Sequence, residues 1–372
     1  MFSATWEQKR IQKKEGYFIM QKKMSISVIL AAYRGENYIV EQLRSLFQQT
    51  CLPDEILIGD DSPDDLTTQA IHSILHEAPC SVKICRNNPT LGVTMNFSAL
   101  LEKASGDIIF FCDQDDVWKK DKIKRFVKEF HENPKTLFVF SSSRIVDKNL
   151  NDTGVSLSDL HSITESTVHE INDLEDYSNA YIRALLGCGH NSAIRKEFKK
   201  YLLPFPKEVP YDVFVYLMAL PIASPRCIQG DYVLFRRHDS NFSLLKKENI
   251  FQSFASIKKI GPGKQLYDKW IWYKHVLNTI IFFHKNKTLD INKMNKLRIL
   301  LEKEKYYRFR MISCRHNFFY RIFLFFYLPK YYQFGFGIKT YLRDVLLKVK
   351  LTDSQYKNLS DWKEYLHDIF PC

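Results

Sequence analysis

Asp107-Ile108-Ile109-Phe110-Phe111-Cys112-Asp113-Gln114-Asp115-Asp116 reads as an apolar strand that ends in an acidic cluster. A continuous apolar run of this length, without the polar alternation of a half-exposed strand, suits a strand covered on both faces. In extended backbone alternate side chains point the same way. Asp113 and Asp115 are therefore expected to share one face and to chelate one hard divalent cation, Mg2+ or Mn2+. An acidic turn at a strand end is the plainer reading of such a cluster, and its neighbours decide between the two.

Upstream, short apolar runs alternate with amphipathic stretches, the pattern of a parallel sheet covered by helices. Ser27 to Ala32 is a first strand, and Ile39, Val40, Leu43, Leu46 and Phe47 recur at helical spacing after it. Glu55 to Gly59 is a second strand ending in Asp60-Asp61, followed by a helix face of Leu66, Ala70, Ile71, Ile74 and Leu75. A third strand, Val82 to Cys85, runs through the turn residues Asn87-Asn88-Pro89 into a helix near Asn96 to Lys103. Downstream, Ile123, Phe126, Val127 and Phe130 set a helix over Asp121 to Glu132, and Leu137 to Phe140 is a further strand. Residues 147 to 180 read as loop-rich. Val213 to Leu220 is an apolar segment, and the strand Tyr232 to Phe235 leads into Arg236-Arg237-His238.

Polar residues thus gather at three strand ends: Tyr33 to Glu36, Asp60 to Ser62, and Asp113 to Asp116. Ligands of open parallel sheets bind outside the carboxyl ends of the strands, so the three clusters are expected to converge on one site. No Gly-x-Gly-x-x-Gly follows the first strand, which argues against a dinucleotide-dependent oxidoreductase.

The 372 residues exceed one ordinary domain, and two units are expected. The composition, 45% hydrophobic and 26% charged, is that of a globular chain. The formal net charge is +12; roughly +15 falls after Leu245 and the front part is near neutral or slightly acidic, so the basic character belongs to the C-terminal part. A nucleic-acid partner is not expected, because acidic strand ends repel phosphate unless a metal intervenes. Eight cysteines without a CxxC pair are expected to be reduced thiols, with Cys112 a small buried hydrophobe. No run approaches the ~18 apolar residues of a spanning helix. The start, with Lys9, Arg10, Lys13 and Lys14, lacks the apolar core of a signal peptide, so a cytoplasmic location is the expectation.

Ser27-Val28-Ile29-Leu30-Ala31-Ala32-Tyr33, Gly59-Asp60-Asp61-Ser62, Asn88 to Gly92, and Phe111-Cys112-Asp113-Gln114-Asp115-Asp116-Val117-Trp118 resemble, in order and in spacing, the successive motifs of family 2 glycosyltransferases. The likeness is greatest to the bacterial rhamnosyltransferase-like branch and runs over roughly residues 25 to 243. It implies an α/β fold of the GT-A type, Rossmann-like, with a mostly parallel sheet and helices on both faces. The implied activity is inverting, metal-dependent transfer of a sugar from a UDP- or dTDP-sugar, dTDP-rhamnose among them, to a saccharide acceptor in bacterial surface polysaccharide synthesis. The acceptor is expected to be lipid-linked.

Residue by residue, the resemblance implies that Ala31 and Tyr33 line the nucleotide pocket with Glu36. Asp61 is implied to accept a hydrogen bond from the base ring, Asp60 being readable instead as a helix cap or turn residue. Asp113 resembles the ribose-side carboxylate of the DxD motif and Asp115 its metal ligand; Trp118 is similar to an aromatic beside the sugar. Leu203-Pro204-Phe205-Pro206 followed by Tyr211-Asp212 resembles the segment that supplies the catalytic base, Asp212, with Tyr211 where histidine is usual. Phe235-Arg236-Arg237-His238-Asp239-Ser240-Asn241 resembles the motif that closes over the diphosphate. It implies His238 as a further metal ligand, with Arg236 or Arg237 neutralising phosphate oxygens. Gly189-His190-Asn191-Ser192 resembles an acceptor-side stretch.

Three segments are expected: a polar extension over 1–24, the catalytic domain over 25–245, and a basic, aromatic, mainly helical region over 246–372. The aromatics of Asn317 to Ile338 and the group Trp270, Trp272 and Tyr273 are read as docking on the inner face of the membrane. The other reading is packing on the catalytic domain or on a second subunit, as in a homodimer. A nucleotide-sugar-binding protein without catalysis is the alternative function.

Overall fold

The computed structural model describes residues 23–173, 189–238, 262–290, 296–315, 326, 328–334, 341, 344 and 352–369. The extension over 1–22, Asp239-Ser240-Asn241, the boundary at 245/246 and most of Asn317 to Ile338 lie outside the described residues.

Nine strands form one sheet among the described residues. They are β1 (Ile26–Ala32), β2 (Glu55–Asp60), β3 (Ser81–Arg86), β4 (Ile108–Asp113), β5 (Val117–Trp118), β6 (Phe138–Val146), β7 (Asp152–Ser156), β8 (Ser192–Arg195) and β9 (Arg226–Arg236). Their order is β3-β2-β1-β4-β8-β6-β9-β5, with β7 on the side of β6. The first four strands are parallel, as expected. The second half makes the sheet a mixed one, with the longer ladders still parallel. There β8 runs antiparallel to both β4 and β6, β7 to β6 and β5 to β9, while β6 and β9 are parallel.

Side-chain alternation on the central strands divides the core in two. Val28, Leu30, Phe110 and Cys112 face α1 (Ile39–Phe47), α2 (Leu66–Ile74) and α4 (Lys122–Glu132) through Leu43, Ile71 and Phe126. Ile29, Leu57, Ile109 and Phe111 face α3 (Val93–Lys103) and α5 (Tyr211–Ile222). The helices α6 (Pro262–Lys285) and α7 (Leu297–Arg315) continue that second core. Trp270 and Tyr273 are buried there, and the Trp270 indole N–H donates to Glu304 Oε1 at 2.7 Å. The aromatic group expected on a membrane-docking surface is therefore interior packing, with Trp272 half-buried against the same core. No helix among the described residues is long and apolar enough to cross a membrane.

Register aligns the strand ends. Ala31 lies opposite both Gly59 and Asp113, and Ala32 opposite Asp60, so the three polar clusters sit side by side where the order reverses between β1 and β4. Gly59 allows α3 to close over this edge: a Cβ there would lie 1.9 Å from Asn96 Oδ1, while Asn96 Nδ2 donates to the Gly59 carbonyl at 2.7 Å. Gly59→Ala is expected to destabilise the fold by about 1–3 kcal/mol, because Asn96 must leave its bond to make room. Urea unfolding of the variant against the parent measures it.

Candidate active site

The end of β1 and the acidic loop are joined by one side chain. The Tyr33 N–H donates to Gln114 Oε1 at 2.8 Å, and Gln114 Nε2 returns a bond to the Tyr33 carbonyl at 2.9 Å. Gly35 makes room for it, since a Cβ at 35 would lie 2.1 Å from Gln114 Oε1. The Tyr33 ring stays half exposed beside this junction. Glu36, half-buried, accepts from Thr67 Oγ1 at 3.2 Å, and the same hydroxyl accepts the Gly35 N–H at 2.9 Å.

At the end of β2 the two aspartates divide their tasks. Asp60 accepts the Ser62 N–H at 2.9 Å and the Thr68 hydroxyl at 2.7 Å, the turn-residue role open from sequence. Asp61 accepts from Asn87 Nδ2 at 2.7 Å and from the N–H groups of Leu91 at 3.2 Å and Gly92 at 2.8 Å. A carboxylate offers about four lone-pair sites, so three donors leave Asp61 capacity for one more.

Strand β4 stops at Asp113, and the chain bends over Gln114 and Asp115. The alternation that was to set Asp113 and Asp115 on one face therefore ends a residue too early, and the two carboxylates find different partners. Asp113 Oδ1 accepts from the Tyr211 hydroxyl at 3.3 Å, and its Oδ2 lies 3.5 Å from His190 Nδ1. Asp115 Oδ2 lies 2.9 Å from His238 Nε2. The expected trio of Asp113, Asp115 and His238 thus forms only as the pair Asp115–His238. The group that does gather is Asp113, Asp116 and His190, whose ligand atoms all lie within 4.8 Å of one another and could hold a metal ion. Carboxylate oxygens with one imidazole nitrogen suit a divalent cation such as Mn2+.

Beneath these groups lies a buried polar layer. Asp116 is fully buried; its Oδ1 accepts the Arg236 N–H at 3.1 Å, and its Oδ2 lies 3.5 Å from His190 Nδ1 without a hydrogen-bond partner. Burial pushes the Asp116 carboxyl up to about 7, against the pull of His190. Burial by itself would lower the His190 pKa, but the Asp116 and Asp113 carboxylates outweigh it and hold the imidazole above its usual value. His190 Nε2 lies 3.0 Å from the Ser143 hydroxyl. Lys122 is also fully buried, and burial lowers its ammonium pKa to about 7. It donates to the His190 carbonyl at 2.5 Å and sits 3.3 Å above the Trp118 ring.

Two expected residues have other work. Trp118 is buried against Phe110 and under Lys122, so the aromatic expected beside the sugar is a packing residue. The Arg236 guanidinium is buried and spent on the Asp115 carbonyl at 2.8 Å, the Lys148 carbonyl at 2.8 Å and Glu41 Oε2 at 2.6 Å, which removes it from phosphate. Arg237 is half-buried, its guanidinium 5.8 Å from the Phe235 ring centre. Tyr38, which the sequence did not single out, stacks on His238 at 4.5 Å, and the Arg236 guanidinium lies over its ring 4.9 Å from the centre.

Asp212 lies in the first turn of α5, where Pro210 rather than Asp212 is the N-cap. It accepts the Val213 N–H at 2.8 Å. Its side chain still meets solvent, yet protein surrounds it: burial pushes the carboxyl up to about 7, and the charge of Asp113 adds to the rise. The sequence did not reveal Gln114, Lys122 or the Asp116–His190 pairing. Lys122 gave no signal, since a lysine at a helix start reads as solvent-facing. The polar run His190-Asn191-Ser192 leading into a buried strand was the one visible cue.

Residues 27–202 match the family model for glycosyl transferase family 2. The UDP-Glc:alpha-D-GlcNAc-diphosphoundecaprenol beta-1,3-glucosyltransferase WfaP of Escherichia coli is 27% identical over 63% of this chain and 86% of its own length. The dTDP-rhamnosyl transferase RfbG of Shigella flexneri is 35% identical over 26% of this chain and 35% of its own. Against two further curated relatives the chain spans about a third of their length, 33% and 36%. Among solved structures, TarS of S. aureus superposes with a TM-score of 0.50 at 18% identity, over 76% of this chain and 44% of that one, a likeness of fold. Over residues 27–202, just under half of its length, the chain is similar to glycosyl transferase family 2.

Proposed function

We propose that the chain is an inverting glycosyltransferase that moves a sugar from a uridine or thymidine diphosphate donor onto a hydroxyl of a saccharide. The observation that carries this reading is the contact of Asp113 with the first turn of α5. It sets a donor-side carboxylate beside the segment bearing Asp212, whose pKa of about 7 suits a general base.

In this reading Ala31, the exposed face of Tyr33 and Glu36 border the nucleoside, Asp61 spends its remaining lone pair on the base, and Asp113 takes the ribose. Asp115 and His238 hold the divalent cation. Their side chains keep 16% and 8% exposure, against 0% for Asp116 and 1% for His190, so a diphosphate can reach the first pair and not the second. Two protein ligands suffice where phosphate oxygens complete the shell. The cation supplies Lewis-acid offset of charge on the leaving diphosphate. Arg237, half-buried just after β9, is assigned to the diphosphate side. Asp212 takes the proton of the acceptor hydroxyl as that oxygen bonds to the anomeric carbon, and the bond from that carbon to the diphosphate breaks on the opposite face. A single displacement inverts the configuration.

The names of the E. coli and S. flexneri relatives support a pyrimidine nucleoside diphosphate donor, with glucose and rhamnose as first candidates. The former also supports a polyprenyl-diphosphate-linked acceptor and hence a role in surface polysaccharide assembly. Screening UDP- and dTDP-sugars for diphosphate release with Mg2+ or Mn2+ tests the reading, and no turnover of any donor rejects it. Asp115→Ala is expected to abolish transfer and weaken Mn2+ binding while leaving the thermal transition in place; calorimetric titration with the ion reads the second effect. Asp212→Asn should cut kcat on the order of 100-fold or more with donor affinity kept. A base with a pKa of about 7 carries its proton at lower pH, so kcat/KM should rise about tenfold per pH unit below 7 and level off above it, a limb absent in the variant.

A further inference from the structure

We infer that the Tyr211 hydroxyl is a positioning group that fixes Asp113 for the donor, and that Gly189 is present to admit it. The inference rests on the reading of Asp113 as a donor contact. The hydroxyl donates to Asp113 Oδ1 at 3.3 Å, while His190 Nδ1 lies 3.5 Å from the other oxygen, so the carboxylate is held from both sides. The two holders come from different parts of the chain, the start of α5 and the turn that precedes β8.

The Tyr211 ring cannot drift. It stacks on Phe97 with centroids 4.0 Å apart, lies 5.7 Å from Phe111, and is buried. A Cβ at residue 189 would fall 2.0 Å from the hydroxyl oxygen and 2.4 Å from two ring carbons, so any larger residue there would expel the ring. Phenol, stacking partners and glycine together make a fixed donor aimed at one carboxylate oxygen. A carboxylate held in its binding rotamer before the donor arrives has less side-chain freedom to lose on binding. Tyr211 stands where the resembling family usually has histidine, and at this distance it performs a hydrogen-bonding task, not only a packing one.

Tyr211→Phe removes the donor and keeps the ring. Loss of a hydrogen bond to a charged group should raise the donor KM roughly 10-fold, and the calorimetric Kd for uridine diphosphate equally, with kcat changed by less than about threefold. A ring that only packs would leave KM and Kd unmoved, which would overturn the inference. A double-mutant cycle of Tyr211→Phe and Asp113→Asn in urea unfolding reads the contact without any substrate. Non-additive stabilities are expected; additive ones mean the contact does not exist, whatever the kinetics. A parent enzyme that turns over no nucleotide sugar would instead overturn the functional reading, and the donor role of Tyr211 with it, while the cycle still reports the bond.

Discussion

Asp116 is a carboxylate wholly out of water, and the rest of the site is arranged around that constraint. A buried acid must be paired, hydrogen-bonded or neutralised. Here the Arg236 N–H, the His190 imidazole and the Lys122 ammonium beneath that residue's carbonyl share the task. Each comes from a different element: the end of β9, the turn before β8, and the first residue of α4. Removing the charge would leave three polar groups in the interior with their reason for meeting gone. Asp113 and Asp115 are presented to the outside because the residue that follows them is anchored inside.

The parallel half of the sheet was legible because fully covered strands are written as unbroken apolar runs, as in Ile108 to Cys112 and Ile56 to Ile58. The convergence of Tyr33, Asp61 and Asp113 followed from the rule for strand ends, and the register bears it out. The antiparallel half was less legible: β8 is four residues long and β5 two, too short for periodicity to register. The site failed to read through in a specific place. Chelation by Asp113 and Asp115 assumed extended backbone through Asp115, but the strand ends at Asp113 and the bend sends the two side chains to different partners. Trp118 and Arg236 were misread for a shared reason. An aromatic or a cation beside a motif suggests ligand contact, and only the fold reveals that Lys122 and Glu41 had already claimed them.

The basic C-terminal third has a similar lesson for surface readings of composition. Its tryptophan and tyrosine residues look like an interfacial belt in one dimension, yet Trp270 and Tyr273 extend the core begun by Phe97 and Tyr211. Aromatic content sums interior and exterior without distinguishing them. The rings stitch α6 and α7 to α5, and part of the charge is interior as well, Arg310 being buried in an ion pair with Asp344.

Gln114 carries a consequence of its own. Its amide exchanges two hydrogen bonds with the backbone of Tyr33, as a peptide group of a neighbouring strand would, so a side chain adds one more rung to the ladder between β1 and β4. The loop after β1 and the bend after β4 are thereby tied to each other through one amide. Exchange of that single side chain would unpair the N–H and the carbonyl of Tyr33 at once.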